Sequence, residues 1–172
     1  MQELKIPGER IAILLGKKGS TKRELESKTG TKIKVDSEEG DVLITGDELK
    51  CFITLNIIKA IGRGFNPKIA LKLLNEENIL EIINMEDYLR DNKNKIFTAK
   101  ARLIGTNGKA RKSIEALTFT NISVYGKTVA IIGEIKEAEI AKQALINLIM
   151  GSKHGNVYAF IDKRKKSLDE IK

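Results

Sequence analysis

The chain of 172 residues has one cysteine, one histidine, no tryptophan, three tyrosines and five phenylalanines. The single thiol, Cys51, cannot close an internal disulfide. One Cys with one His cannot assemble a Cys/His metal cluster either. Cys51 lies among apolar residues of an expected helix and reads as a buried core thiol. His154 falls in an expected loop after a helix, a surface or packing position rather than that of a catalytic base. No apolar run approaches the ~20 residues of a bilayer span. Met1-Gln-Glu-Leu-Lys5 lacks the charged-then-apolar order of a secretory leader. Together these absences predict a protein of the reducing cytoplasm with no membrane contact, no cofactor, no metal and no enzymatic activity of its own. With aromatics scarce, its cores must be aliphatic.

What the chain does have is one segment written twice. Ala12-Ile-Leu-Leu-Gly16-Lys-Lys-Gly19 recurs as Ala101-Arg-Leu-Ile-Gly105-Thr-Asn-Gly108, an offset of 89 residues. Across residues 12–35 that offset gives 9 identities in 24 ungapped positions, among them Glu26/Glu115, Thr29/Thr118, Thr31/Thr120, Ile33/Ile122 and Val35/Val124. The offset drops to 87 at Val42/Val129 and Gly46/Gly133, so the second copy has the shorter loop. Two copies are too few for a solenoid and mark a duplicated domain.

The net charge of +8 is unevenly spread. Residues 95–172 hold 15 basic and 7 acidic side chains, and the stretch from Arg10 to Lys34 holds eight basic and two acidic. Each copy therefore concentrates positive charge around its Gly-x-x-Gly, which points to a polyanionic partner. The acids Asp36, Glu38, Glu39 and Asp41 read as a solvated hairpin turn. Gly105 to Ser113 lacks the spacing of a nucleotide-binding P-loop.

Periodicity and turn residues predict a first domain over 1–64. Leu4–Ile6 is its first strand, Arg10–Leu15 a short helix and Ser20 to Gly30 a second helix. Strands follow over Thr31–Val35 and Asp41–Thr45, then a helix capped by Asp47. The second domain, 94–151, is expected to repeat this order, with Lys95–Lys100 as its first strand and Glu134–Met150 as its last helix. Between them, 65–93 is expected to be a helical connector, starting at Asn66-Pro67 and continuing as short helices over Glu76–Tyr88. Residues 152–172 form an extension in which Val157–Ile161 alternates like an added strand and Arg164–Lys172 is a charged tail.

A helix, Gly-x-x-Gly, then a second helix is a physical device for holding a nucleic-acid backbone. The glycines let the chain turn tightly and approach phosphate, the second helix points its N–H groups and positive dipole end at the anion, and basic side chains add salt-sensitive attraction. The order strand, helix, Gly-x-x-Gly, helix, strand, strand, helix resembles the KH domain in its type I arrangement. The resemblance implies an α+β fold of two KH domains, each a three-stranded sheet packed by three helices, whose loops clamp about four nucleotides of single-stranded RNA. The candidate RNA contacts are Gly16, Lys17, Lys18, Gly19, Lys22 and Arg23 in the first copy. In the second they are Gly105, Thr106, Asn107, Gly108, Lys109, Arg111 and Lys112. Bases are expected against Leu14, Leu15, Ile33 and Val35, or Leu103, Ile104, Ile122 and Val124.

KH domains usually place Ile or Leu three residues after the second glycine. Here Lys22 and Arg111 stand there, with Leu25-Glu26 and Ile114-Glu115 following. The run Gly108-Lys-Ala-Arg-Lys-Ser-Ile-Glu115 resembles the tandem KH ribosome-assembly factors of archaea and eukaryotes, the partner-of-Nob family. The segments Arg63–Leu74 and Ile149–Tyr158 are similar to the same family. A first Gly-x-x-Gly kept intact looks archaeal. The resemblance implies binding near the 3′ end of small-subunit rRNA during processing. It also implies a pre-rRNA endonuclease of the Nob type as partner, and a translation initiation factor as another. The alternatives are a protein adaptor, or a general RNA-binding subunit of a degradation or transcription complex.

Overall fold

The computed structural model describes residues 1–171, which form two compact units, Met1–Asn78 and Ile79 onward. The first runs β1 (Gln2–Lys5), α1 (Gly8–Leu15), α2 (Ser20–Thr29), β2 (Lys32–Val35), β3 (Asp41–Thr45), α3 (Glu48–Gly62) and α4 (Pro67–Ala70), followed by a 3₁₀ turn over Leu71–Leu74. Its sheet has the order β1-β3-β2, with both pairings antiparallel. The register sets Leu4 and Val35 opposite Val42, and Ile33 opposite Ile44, so one face is apolar. Because strand side chains alternate, that face meets the helices while Glu3, Lys34 and Leu43 lie on the other. Val42, Ile44, Leu14, Leu25, Ile57 and Ile58 are completely buried, and Cys51 is a core thiol as expected. Asp47 caps α3 by accepting the Lys50 N–H at 3.2 Å.

The second unit takes up β4 (Asn78–Asn84) and continues with α5 (Glu86–Leu89), α6 (Lys93–Ile104), α7 (Lys109–Thr118), β5 (Asn121–Tyr125), β6 (Thr128–Glu134), α8 (Ile135–Ile149) and α9 (His154–Glu170). Its sheet order, β4-β6-β5, repeats the first unit's edge-centre-edge plan. The core is aliphatic, built on Leu103, Ile114, Ile131, Leu145 and Leu148. The expected α+β class and the pair of helix-backed three-stranded sheets are both present.

Three local expectations fail. Lys95–Lys100 is helix, not strand: Ile96, Ala99 and Leu103 bury one helical face, and Asn92 caps α6 by accepting the Lys95 N–H at 3.1 Å. The edge strand is instead β4, within the segment expected to be helical connector, so the second unit begins near residue 79 rather than 94. The short α5 separates this strand from its helix, an insertion that the first copy lacks. Finally, Val157–Ile161 is part of α9. Val157 and Ile161, four apart, are its buried residues, and helix continues through the charged stretch to Glu170, Lys172 lying outside the described residues.

Candidate nucleic-acid interface

The two Gly-x-x-Gly loops have one backbone. Gly16 (φ 70°, ψ 177°), Lys18 (54°, 31°) and Gly19 (76°, 16°) match Gly105 (71°, 178°), Asn107 (54°, 31°) and Gly108 (73°, 14°). In each, the first glycine donates to the carbonyl four residues back, Ala12 at 2.9 Å and Ala101 at 2.8 Å, closing the helix before it. The second glycine donates to the first, at 3.1 Å and 3.2 Å. Three of the four loop positions thus have positive φ or a reversed backbone, which glycine adopts freely and Asn tolerates.

The glycines differ in duty. A Cβ on Gly16 would fall 2.2 Å from Thr21 Oγ1 and 2.8 Å from its backbone nitrogen, and one on Gly105 would fall 2.7 Å from Ala110 Cβ. These first glycines let the loop press onto the following helix. A Cβ on Gly108 would meet nothing nearer than 3.9 Å, and one on Gly19 only Arg23 Nη1 at 3.2 Å. Gly108 faces open space, where a phosphate can approach, and Gly19 is crowded only by the far end of the Arg23 side chain. Arg23 donates to the Lys18 carbonyl at 2.8 Å and so braces the first loop from outside.

Helices α2 and α7 start directly from these glycines, with no side-chain cap and no acidic residue in the first turn. Elsewhere α3 and α6 start under Asp47 and Asn92. The first N–H of each helix bonds back into its own loop, Ser20 to the Lys17 carbonyl and Lys109 to the Thr106 carbonyl, while the positive dipole ends of α2 and α7, without a capping side chain or an acid, are left for an external anion. Lys17, Lys18, Thr106, Asn107, Lys109 and Lys112 are exposed around them, and Arg23 with them.

Lys22 and Arg111 sit differently from the other candidates. Glu26 Oε1 accepts the Ile33 N–H at 2.8 Å and Lys22 Nζ at 3.3 Å, and Glu115 Oε1 accepts the Ile122 N–H and Arg111 Nη1, both at 2.8 Å. Each carboxylate ties α2 or α7 to the outer edge of β2 or β5, and the basic residue four positions back neutralises it. Burial raises the Glu26 carboxyl, but the Ile33 N–H and Lys22 outweigh it and hold the group below the ordinary carboxylate range. The basic residues that set this sequence apart from ordinary KH patterns therefore belong first to the frame. Arg10 is likewise committed, donating to the Ile61 and Phe65 carbonyls at 2.7 Å and 2.9 Å.

The residues expected to wall the base groove divide by depth. Leu15, Val35, Ile104 and Val124 are partly or openly accessible. Leu14, Leu103, Ile33 and Ile122, at 0 to 3% exposure, are core residues and cannot touch a base. Helical phase explains this: Leu14 lies three residues after buried Ile11, on the inward face. The same phase exposes Ile13 (39%), which the sequence reading passed over, and Phe97 (76%), which it had placed in a strand. His154 Nε2 bonds the Arg102 carbonyl at 2.8 Å, so the one histidine fastens α9 to the end of α6, a packing role. Among the described residues no cluster of His, Cys, Asp and Glu could hold a metal, and no helix is long and apolar enough to cross a membrane.

A family model described as a KH domain of eukaryotic type, KH type I, matches residues 79–166, and a KH-domain model matches residues 1–60. The chain belongs to the type I KH family. Over 170 residues this KH protein is 44% identical to a KH domain-containing protein of Methanocaldococcus jannaschii, covering 96% of the chain and 74% of that protein. It is 29% identical over 119 residues to the pre-rRNA-processing protein pno1 of Aspergillus fumigatus, covering 67% of the chain and 46% of the relative. The KH protein thus spans under half the length of that relative. Among solved structures, Dim2p from Pyrococcus horikoshii superposes with a TM-score of 0.87 at 46% identity, covering 94% of the chain and 98% of Dim2p. A chain in the complex of a/eIF2α, aDim2p and rRNA from the same organism gives 0.90 at 47%, covering 96% and 94%. The KH protein groups with these archaeal Dim2p and PNO1-type proteins, and the second model's start at residue 79 agrees with β4 as the first strand of the second KH domain.

Proposed function

We propose that this KH protein binds single-stranded RNA of the small ribosomal subunit near its 3′ end, through both Gly-x-x-Gly loops, and serves pre-rRNA processing as a non-catalytic assembly factor in the cytoplasm. The observation that carries the reading is the pair of superimposable loops, each opening onto an uncapped, acid-free helix N-terminus. The rRNA-bound Dim2p complex and the pre-rRNA-processing relatives supply the RNA class. Cleavage then falls to a separate endonuclease of the Nob type. A translation factor resembling the a/eIF2α of the Dim2p complex is the second partner.

The test is titration of wild type, Lys17→Asp with Lys18→Asp, and Thr106→Asp with Asn107→Asp against a matched 3′-end RNA and a scrambled RNA of equal length. Wild type is expected to prefer the matched RNA. Each double substitution is expected to weaken binding at unchanged melting temperature, since all four side chains are exposed. Equal affinity for scrambled RNA would sink the site assignment. Loss confined to one pair would leave the other domain without a direct RNA contact.

A further inference from the structure

Helix α6 is a turn longer than α1, twelve residues against eight, and its additional N-terminal residues have no helical counterpart in the first copy. At the offset of the repeat, Phe97 corresponds to Gly8, the first residue of α1. Phe97 is 76% exposed in a protein with only five phenylalanines. An isolated exposed aromatic needs no explanation by itself, but this one has neighbours that form a pattern. At 100° per residue, Lys93, Phe97, Lys100, Ala101 and Ile104 fall within an arc of about 100°. The adjoining face, Ile96, Ala99 and Leu103, is the one in the core. The outer stripe runs directly into Gly105. Its lower end, Ala101 and Ile104, is accessible beside the Gly-x-x-Gly loop. Its upper end is an aromatic ring between two lysines. The helix carries Lys93, Lys95, Lys100 and Arg102 and no acid.

We infer that this stripe extends the second domain's RNA groove by one subsite, in which the Phe97 ring stacks on a base flanking the nucleotides clamped at Gly105–Gly108 and Lys93 and Lys100 hold the adjoining phosphates. The inference rests on the RNA reading of the loop. Chemistry selects the occupant: a base presents a π-face to a ring of either sequence context, and a phosphate backbone matches a helix of four cations without an acid. The site is continuous with the clamp, since Phe97 stands eight residues, about 12 Å of helix, before Gly105. The first domain offers no equivalent, because Gly8 has no side chain and Pro7 precedes it.

The experiment uses the full chain with matched 3′-end RNAs that carry single 2-aminopurine substitutions at successive positions. Replacing a stacking aromatic by Ala costs roughly 1–3 kcal/mol per base, or about 5- to 150-fold in affinity. Phe97→Ala is therefore expected to weaken binding within that range and to restore fluorescence at one position outside the clamped nucleotides. Phe97→Tyr should retain both affinity and quenching, while Phe97→Leu, apolar but without a π-face, should behave as Ala. All three should melt with wild type, because the ring is outside the core. Unchanged affinity in Phe97→Ala while wild type still binds its RNA overturns the subsite and leaves the clamp standing, and points to a protein on that face. Failure of wild type to bind any RNA would instead remove the reading on which the subsite depends.

Discussion

At the scale of single residues, two side chains show how this sequence spends stability. Phe119 ends α7 with φ 55° and ψ 36°, where the first copy has Gly30 at φ 69°. A side chain in the left-handed region costs about 1–2 kcal/mol. Its ring is 77% exposed, with Lys165 Nζ 4.3 Å from the centroid. An exposed cation–π contact returns only about 0.5–1 kcal/mol. Phe119→Gly should therefore stabilise the second unit by up to about 1 kcal/mol, a rise of roughly 2–4 °C in Tm for a chain of this size. A thermal melt decides it, and a lower Tm would mean that the ring contributes packing beyond the lysine contact. Glu26 works in the other direction. Its carboxylate satisfies the Ile33 N–H at the edge of β2, and Glu26→Ala should cost about 1–3 kcal/mol by leaving that donor unpaired. Because its folded value lies below the ordinary one, the stability from its ionised form is complete above an unfolded value of about 4.3 and is lost as pH falls through the folded value. Urea midpoints at pH 7 and pH 3.5 should accordingly fall further for wild type than for Glu26→Gln.

At the scale of elements, the loop and the helix behind it act as one unit, and its two glycines should fail differently. Gly105→Ala drives a Cβ to 2.8 Å from the Ala110 backbone nitrogen, where a rigid helix start cannot yield. Gly108→Ala meets only the far ends of Lys112 and Arg111. The first substitution should lower Tm by several degrees. The second should fold with about 1–2 kcal/mol of backbone strain and yet lose most RNA affinity, because a methyl group then stands where the phosphate approaches. Comparable melting of the two variants would contradict this division of duty. The same elements explain what could be read in advance. The repeat was legible because most of its identities hold the fold. Thr29 and Thr31 join hydroxyls at 2.8 Å, as do Thr118 and Thr120, and Glu26 and Glu115 each brace a strand edge. The helix starts at Asp47 and Asn66 were legible as caps that accept the Lys50 and Lys68 N–H groups. The strand β4 was not, since Ile79, Ile82 and Ile83 stand at helical spacing and its first five residues are all half buried, without the in-and-out alternation of a strand. Nor was α6, where the template of the first copy put a strand directly before the helix and α5 intervenes instead. Of the residues expected to wall the groove, half lie in the core, because which of Leu14 and Leu15 faces outward depends on helical phase that only the packing of Ile11 sets.

At the scale of the whole molecule, the net charge of +8 and the two non-equivalent loops make salt the sharpest probe of how RNA is held. Each phosphate neutralised on a single strand contributes about 0.7 to the slope of log affinity against log salt. Lys17 and Lys18 are exposed cations at the first loop, so Lys17→Ala with Lys18→Ala should reduce that slope by about 1.4 as well as weaken binding. Thr106 and Asn107 carry no charge. Thr106→Ala with Asn107→Ala should weaken binding and leave the slope where it was, since the second loop draws its cations from Lys109, Lys112 and the stripe on α6. Two domains on one strand also make the second contact intramolecular, so damage to either loop costs avidity beyond its own contacts. An RNA long enough to engage both loops should accordingly lose more affinity from either double substitution than a short RNA held by the other loop alone. If both pairs flatten the salt slope equally, the clamps are equivalent and the charge of the first loop is not what distinguishes it. If the short and long RNAs respond alike, only one loop is engaged at a time, and the duplication serves two separate strands.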